Sequence, residues 1–233
     1  MNKELFINEV SKLNITLTDT MLTKLERYYQ ILIEENSKYN LTAITDKEAV
    51  YLKHFYDSLT LSKIIDLYHQ SLCDIGTGAG FPGMVLKIVF PNLRVTLVDA
   101  TEKKCNFLKM VIDKLELKDI EVINARAEDY SKTTREKYDI VTSRAVAPLK
   151  HLLEYSIPLV KVNGNYIAMK SDITKETEGI ENYEQKLHLS EPKILRFNLP
   201  IEESARTLIR YAKTAKTNPI YPRRYSEIKK KDI

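Results

Sequence analysis

The feature that most restricts the fold is a glycine-rich turn after a short apolar run. Residues 74–80 read Asp-Ile-Gly-Thr-Gly-Ala-Gly, and the preceding run, Ser71–Cys73, has the character of a buried strand. Glycines at alternate positions allow a sharp turn and let a ligand approach the backbone amides. Pro82 follows, and proline is favoured at the first helical position because no amide hydrogen is needed there. The segment predicts a strand, a ligand-binding turn and a helix.

A carboxylate stands where such a turn needs one. The apolar run Val95–Val98 ends at Asp99, which is 19 residues beyond Gly80. Nucleotide-binding folds place an acid about 20 residues after the turn, where it contacts a ribose. The alternative is an ordinary acid at a strand end. The order of strand, loop, helix, strand and acid favours ribose binding.

The glycine spacing separates two kinds of cofactor. A dinucleotide fingerprint, G-x-G-x-x-G, would need glycine at position 81, where this chain has Phe81. The tighter G-x-G-x-G form, with the acid Asp74 ahead of it, resembles the S-adenosylmethionine loop of Rossmann-like methyltransferases. We therefore expect S-adenosylmethionine as cofactor, with contacts at Gly76, Gly78 and Gly80.

Strand and helix patterns alternate from Ser71 onward, which predicts a mainly parallel sheet with helices on both faces. The predicted strands are Ser71–Asp74, Val95–Val98, Ile120–Ile123, Asp139–Thr142 and Tyr166–Met169. The predicted helices are Pro82–Phe90, Glu102–Leu115 and Leu149–Val160, with another over residues 172–186. Lys193–Leu199 and Thr207–Ala212 are predicted as edge strands.

Helical patterns precede the sheet. A short amphipathic helix is predicted over Asn2–Leu13, and a longer one begins at Thr18 or Asp19. Thr45 followed by Glu48 matches a capping box for a third helix, which runs through His54. The chain thus divides into a helical extension (1–70) and a methyltransferase core with a basic C-terminal segment (71–233).

Composition excludes several classes of protein. There is no run of about 18 uncharged apolar residues to span a membrane, and the first residues lack a secretory pattern. Two cysteines, Cys73 and Cys105, are too few for a disulfide framework or a metal site of their own. We expect a cytoplasmic monomer that binds neither a membrane nor a metal.

Basic residues are concentrated near the C-terminus. Residues 206–233 contain nine Lys or Arg and two acids, although the net charge of the chain is only +4. Such a segment indicates a polyanionic partner, or else a solvated, frayed tail. Tyr211, Tyr221 and Tyr225 lie among these charges and favour nucleic acid, because aromatic faces stack on bases.

Ligands of such sheets bind where the strands end, so the residues after each strand are candidates. Ala127 and Glu128 follow the third strand and are placed to hold an adenine edge, or else form an ordinary loop. Arg144 follows the fourth strand and either pairs with an acid or reaches a cofactor or phosphate. No Asn-Pro-Pro-Tyr-like tetrad and no Pro-Cys nucleophile are present. An acceptor nitrogen without a proton to lose, such as guanine N7, suits a chain without an obvious base.

The chain resembles the RsmG (GidB, glucose-inhibited division protein B) family of bacterial 16S rRNA guanine-N7 methyltransferases. Asn-Leu-Thr at 40–42, His-Phe-Tyr-Asp-Ser at 54–58, Ser-Arg-Ala at 143–145 and Pro-Arg-Arg at 222–224 narrow the resemblance beyond the glycine loop. The motifs occur in family order over nearly the whole chain. After Pro-Arg-Arg the chain departs from the family's usual ending.

The resemblance implies methyl transfer from S-adenosylmethionine to a guanosine of 16S rRNA, in the small ribosomal subunit or an assembly intermediate. The implied cofactor contacts are Gly76, Gly78, Phe81, Asp99, Ala127, Glu128 and Arg144. Asn40, Arg126 and Arg144 become candidate catalytic residues on the guanosine side. The implied RNA contacts are His54, which is equally suited to helix packing, and Arg223, Arg224, Lys229 and Lys230.

Two other functions are compatible with the residues alone. One is a methyltransferase that acts on a small molecule and has an incidental basic tail. The other is a non-catalytic RNA-binding or ribosome-assembly module that retains a cofactor fold, since a fold does not fix a function.

Overall fold

Helices occupy the N-terminal part of the chain. The structure is a computed structural model that describes residues 1–171, 173, 176 and 178–233. It begins with α1 (Lys3–Ser11) and α2 (Asp19–Tyr39). A helical run follows, made of α3 (Lys47–Val50), a π-helix (Tyr51–Tyr56), α4 (Asp57–Leu59) and a 3₁₀ turn (Thr60–Lys63). The π-helix places His54 in a widened turn, a local form often found at functional sites.

Side-chain caps set where these helices begin. Thr18 caps α2, as predicted, because its hydroxyl accepts a hydrogen bond from the Met21 amide at 3.3 Å. The prediction of Thr45 as a cap is wrong. Asp46 caps α3 instead, with its carboxylate accepting from the Ala49 amide at 2.9 Å. Both residue types favour this position, and aspartate is the stronger cap.

A seven-stranded sheet follows the helical run. Its strands are β1 (Ser71–Ile75), β2 (Arg94–Asp99), β3 (Ile120–Asn124), β4 (Tyr138–Arg144), β5 (Val160–Lys170), β6 (Lys193–Asn198) and β7 (Ala205–Ala212). The order across the sheet is β3-β2-β1-β4-β5-β7-β6. The first five are parallel, whereas β7 is antiparallel to both β5 and β6. The predicted mainly parallel α/β fold is confirmed.

The remaining helices connect the strands. They are α5 (Gly83–Val89), α6 (Glu102–Lys114), α7 (Ala127–Thr133), α8 (Leu149–Ser156) with a 3₁₀ turn (Ile157–Leu159), α9 (Glu181–Lys186) and α10 (Tyr225–Ile228). Of the helix predicted over 172–186, α9 forms the last part. Positions 172, 174, 175 and 177 lie outside the described residues.

Two predicted boundaries differ from the structure. Val160 belongs to β5 and not to the preceding helix, because the chain turns at Pro158 and enters the sheet early. Thr207–Ala212 is an interior strand and not an edge, since it pairs with β5 on one side and β6 on the other. Among the described strands, β6 forms that edge of the sheet.

Alternate residues of each strand enter two cores on opposite faces of the sheet. Leu72 packs in the core that contains α1, α2, α5 and α6, whereas Cys73 packs in the core beneath α8 and α9. This follows from the two-residue period of a strand. The N-terminal helices share the first core, so they are joined to the sheet by continuous packing.

The described residues bear on the predicted partners in two ways. They contain no helix long and apolar enough to cross a membrane. They also contain no group of three or more His, Cys, Asp or Glu placed to hold a metal ion.

Candidate active site

The glycine loop lies between the end of β1 and the start of α5. Gly76 and Gly80 have φ values of +67° and +103°, which favour glycine over any residue with a Cβ. The amides of Gly76 and Thr77 donate to the Val98 carbonyl at 2.8 and 3.1 Å. These bonds hold the loop against the end of β2, next to Asp99.

Asp74 lies buried beneath this loop. Its Oδ2 accepts hydrogen bonds from the Thr77 hydroxyl at 2.7 Å and the Gly83 amide at 2.8 Å, whereas its Oδ1 has no partner within the described residues. Burial raises the pKa of Asp74 to about 6, although the two hydrogen bonds and the charge of Arg144 oppose this. The acid therefore organises the turn at an energetic cost near neutral pH.

This raised pKa predicts a pH-dependent stability. The folded protein retains a proton on Asp74 that the unfolded chain releases near its ordinary pKa of 3.8, so the stabilisation is present below that pH. It is lost as the pH rises through about 6. We expect the wild type to lose roughly 2 kcal/mol relative to Asp74→Asn between pH 4 and pH 7.5.

Urea unfolding of both proteins at the two pH values measures the difference. Asp139→Asn is the control with the opposite sign. Burial by itself raises the pKa of Asp139, but hydrogen bonds to Lys161 and Ser71 outweigh burial and lower this pKa below its ordinary value. A constant difference between the wild type and Asp74→Asn at the two pH values would contradict the prediction.

Asp99 is nearly buried at the end of β2 and contacts the loop directly. Its Oδ2 accepts from the Gly78 amide at 2.9 Å, and its Oδ1 accepts from the Thr101 amide at 2.8 Å. Asp99 therefore sets the position of the glycine loop and also borders the cleft described next. Its contact with a ribose stays a prediction.

The first cleft, of about 640 Å³, opens where β1–β4 end. Its volume falls within the range of about 300–1,000 Å³ that is usual for small-molecule sites. The predicted site residues that line it are Gly76, Asp99, Arg126, Ala127, Glu128, Arg144 and Lys229. Gly78, Gly80 and Phe81 are not among the lining residues. Gly78 contacts the cleft through Asp99, and Gly80 and Phe81 are buried behind it.

A second cleft, of about 320 Å³, adjoins the first. It is lined by Ile44, Lys53, His54, Asp57, Arg144, Ala145, Met169, Lys170, Ser171, Arg206 and Leu208. Arg144 and Ala145 border both clefts, so two ligands bound side by side would meet at the end of β4.

The Arg144 guanidinium is held from several directions. It donates to the Lys53 carbonyl at 3.2 Å and to Asp57 Oδ2 at 3.3 Å, and it lies over the Phe81 ring. Arg206 on β7 donates to the other oxygen of Asp57 at 3.0 Å. The buried Asp57 carboxylate thus pairs two arginines from distant parts of the chain. Such charge-assisted bonds fix Arg144 in one position.

His54 is a neutral part of this network. Its Nδ1 accepts from Arg144 Nη2 at 3.3 Å, so the proton lies on Nε2, which is 2.9 Å from the Thr42 hydroxyl. Its ring stacks on Phe81 with centroids 4.4 Å apart. Burial, and then the Arg144 charge, lower the pKa of His54 to about 3. The imidazole accordingly stays uncharged at physiological pH.

The other predicted residues lie outside the clefts. Asn40 ends α2 with a φ of +50° and is exposed, a position that asparagine tolerates well. Arg223 pairs with the buried Glu154 at 2.7 Å, whereas Arg224 and Lys230 are exposed at the surface. The structure therefore brings Arg126 and Arg144 to the first cleft without Asn40.

Several lining residues are absent from the sequence prediction. Asp57 and Arg206 are the important ones in the second cleft, and His151, Tyr155 and Tyr225 are those in the first. One signal was available for Asp57, because it follows His54 by three residues and therefore lies on the same helical face. The pairing with Arg206, 149 residues away, depends on the tertiary fold.

The first cleft has polar groups and backbone space that suit S-adenosylmethionine. A carboxylate at the end of β2 and a buried Glu128 at the start of α7 flank it, and a loop with left-handed glycines closes one side. A Cβ added at Gly78 would meet nothing closer than the Gly76 carbonyl oxygen at 4.0 Å, so a ligand can approach the backbone of the loop there.

Solved structures support the same assignment of the fold. A methyltransferase from Pyrococcus furiosus superposes with a TM-score of 0.55 at 16% identity, covering 83% of this chain and 99% of that one. M. jannaschii TYW2, solved in complex with AdoMet, superposes with a TM-score of 0.54 at 14% identity, covering 73% and 77%. The fold is that of the class I methyltransferases.

Sequence comparison names the family. A model of the rRNA small subunit methyltransferase G family (GidB) matches residues 21–204. A relative from Mycoplasma capricolum, "Ribosomal RNA small subunit methyltransferase G", is 45% identical over 221 residues, covering 93% of this chain and 94% of the relative. The chain belongs to the rRNA small subunit methyltransferase G family. The resemblance found in the motifs is confirmed.

Proposed function

We propose that the chain transfers a methyl group from S-adenosylmethionine to N7 of a guanosine in 16S rRNA of the small ribosomal subunit. The observation that carries the proposal is the meeting of the two clefts at Arg144. The first cleft holds the cofactor, and the second, of about 320 Å³, holds the acceptor nucleotide. The name of the family supports rRNA as the substrate. We propose the cytoplasm, where ribosomes assemble, as its place of action.

Methyl transfer to guanine N7 requires little of the protein beyond holding the two reactants in the correct relative position. S-adenosylmethionine supplies an electrophilic methyl carbon, and its sulfur takes the bonding pair when the carbon–sulfur bond breaks. Guanine N7 uses its free lone pair to form the new bond, and no proton leaves. Holding both reactants in line converts the encounter into an effectively intramolecular step, which is a large part of catalysis.

Arg144 is suited to orient the acceptor base. Arginine donors commonly bind guanine O6, which neighbours N7, and such a bond would leave the N7 lone pair free for the methyl group. Asp57 and the Lys53 carbonyl hold the guanidinium in position. We propose Arg144 as the residue that joins the two halves of the site.

His54 supports Arg144 and does not act as a base in this proposal. The Nδ1 lone pair is already engaged by Arg144, and the ring is neutral. In His54→Asn, the amide oxygen can accept from Arg144 in place of Nδ1. We expect methylation within about tenfold of the wild type and an unchanged pH–rate profile, because a general base would contribute 10²–10⁴-fold. Initial rates from pH 5.5 to 9 test this, and loss of the acid limb would refute it.

The proposal is tested with labelled cofactor on small ribosomal subunits and on naked 16S rRNA. Borohydride reduction and aniline cleavage then locate N7-methylguanosine. We expect label at a single guanosine in at least one of the two substrates. Intact cofactor binding without label in either RNA would refute the proposal and favour a non-catalytic module or a small-molecule acceptor.

A further inference from the structure

The C-terminal tail, defined here as residues 221–233, folds back onto α8. Arg223 donates to both oxygens of the fully buried Glu154 carboxylate, at 2.9 and 2.7 Å. Lys150 pairs with Asp232 at 2.5 Å, and Ile228 is buried. The ion pair with Glu154 is the strongest anchor, because removal of either partner would leave a buried charge.

This anchoring places α10 at the mouth of the first cleft. Tyr225 and Lys229 are lining residues of that cleft, together with Tyr155 of α8. Tyr225 is 43% exposed as a residue, and the Lys229 ammonium lies 5.1 Å from the centroid of its ring. Tyr225 therefore presents a large aromatic face at the cleft, with the Lys229 cation against it. The glycine-loop pattern alone gives no reason to expect Tyr225 in the cofactor site.

The tail lies near the end of the cleft where the nucleobase is expected. Glu128, at the start of α7, marks that end, and α7 packs beside α8. Burial raises the pKa of the Tyr155 hydroxyl, and the charges of Glu128 and then Tyr225 raise it further. Tyr155, Glu128 and Tyr225 line the same cleft, so the tail and the start of α7 border one space.

We propose that Tyr225 is a cofactor-binding residue whose ring stacks on the adenine of S-adenosylmethionine. Lys229 acts as a positioning residue that holds the ring over the cleft. The basic tail, which the sequence assigns to RNA, thereby completes the cofactor site as well. This inference rests on the S-adenosylmethionine dependence contained in the proposed function.

Calorimetry with S-adenosylhomocysteine, in the absence of RNA, tests the inference on the full-length protein. Stacking of a base on an aromatic side chain is lost in Tyr225→Ala, and we expect binding to weaken about tenfold. Tyr225→Leu, which keeps the bulk without the aromatic face, should weaken binding similarly, whereas Tyr225→Phe should bind as the wild type does. Lys230→Ala is the matched control in the tail, because Lys230 is exposed and does not line the cleft.

The outcomes separate this inference from the proposed function. Wild-type affinity in Tyr225→Ala overturns the inference, and so does a loss confined to RNA binding. If the wild type methylates rRNA in the same preparation, the proposed function stands. A wild type that binds S-adenosylhomocysteine but labels no RNA refutes the proposed function and leaves Tyr225 testable by the same binding series.

Discussion

Arg144→Lys is expected to lower the rate of methylation at saturating cofactor and RNA by about a hundredfold, comparable to the loss of one preorganised donor in other enzymes. Lysine keeps the charge but cannot replace the planar fork that contacts Lys53, His54 and Asp57 together. Asp57 retains Arg206, so the variant should still fold.

Single-turnover rates with small ribosomal subunits measure this effect. Arg210→Lys is the matched control, since Arg210 is another half-buried arginine that donates to Asn165 and to the Ile64 carbonyl, away from both clefts. We expect a rate close to that of the wild type for the control. Equal rates for the two variants would contradict the role proposed for Arg144.

Gly80→Ala is expected to destabilise the fold by about 3 kcal/mol or more, because overpacking and a left-handed residue each cost about 1–3 kcal/mol. A Cβ at this position would lie 2.6 Å from the Tyr28 hydroxyl and 2.9 Å from Met84 Cβ, and the φ of +103° adds strain. The Tyr28 hydroxyl also donates to the Ala79 carbonyl, so the clash would separate α2 from the glycine loop.

Gly78→Ala is the control within the same loop. Its Cβ would meet nothing closer than the Gly76 carbonyl oxygen at 4.0 Å, so we expect a stability loss of only about 1 kcal/mol from its left-handed φ. Its effect should instead fall on cofactor affinity. Thermal unfolding and calorimetry distinguish the two. Similar unfolding temperatures for the two alanine variants would show that the packing around Gly80 relaxes.

The sequence predicted the sheet well because its central strands are buried on both faces. Runs such as Val95–Val98 carry that signal, and the acid that ends β2 was found with them. Boundaries were less certain where two good caps adjoin, as at Thr45 and Asp46, or where the chain enters the sheet directly, as at Val160. The exact ends of these elements depend on how the chain packs in the folded protein, which a local sequence pattern does not specify.

Sequence motifs located some residues of the candidate site but not the contacts between them. His54 and Arg144 were both placed on the acceptor side, and they are hydrogen-bonded across 90 positions of sequence. The spacing of Asp57 from His54 indicated a shared helical face, but nothing in the sequence indicated that Asp57 pairs with Arg144 and Arg206. Asn40 had a motif but occupies a helix end, where its backbone conformation accounts for it. Tyr225 was noted only as an aromatic among cations.

The interior position of β7 has a consequence for how the enzyme is made. Ribosomal synthesis proceeds from the N-terminus, and β6 is complete before β7, the strand it pairs with, has emerged. Arg206, which completes the pairing of Asp57, is on that late strand. The second cleft, which Arg206 lines, is therefore completed only after the strands that carry the glycine loop and Asp99. A nascent chain in which β7 has not yet been made lacks Arg206, so its Asp57 carboxylate has only Arg144 of these two partners and its second cleft is incomplete.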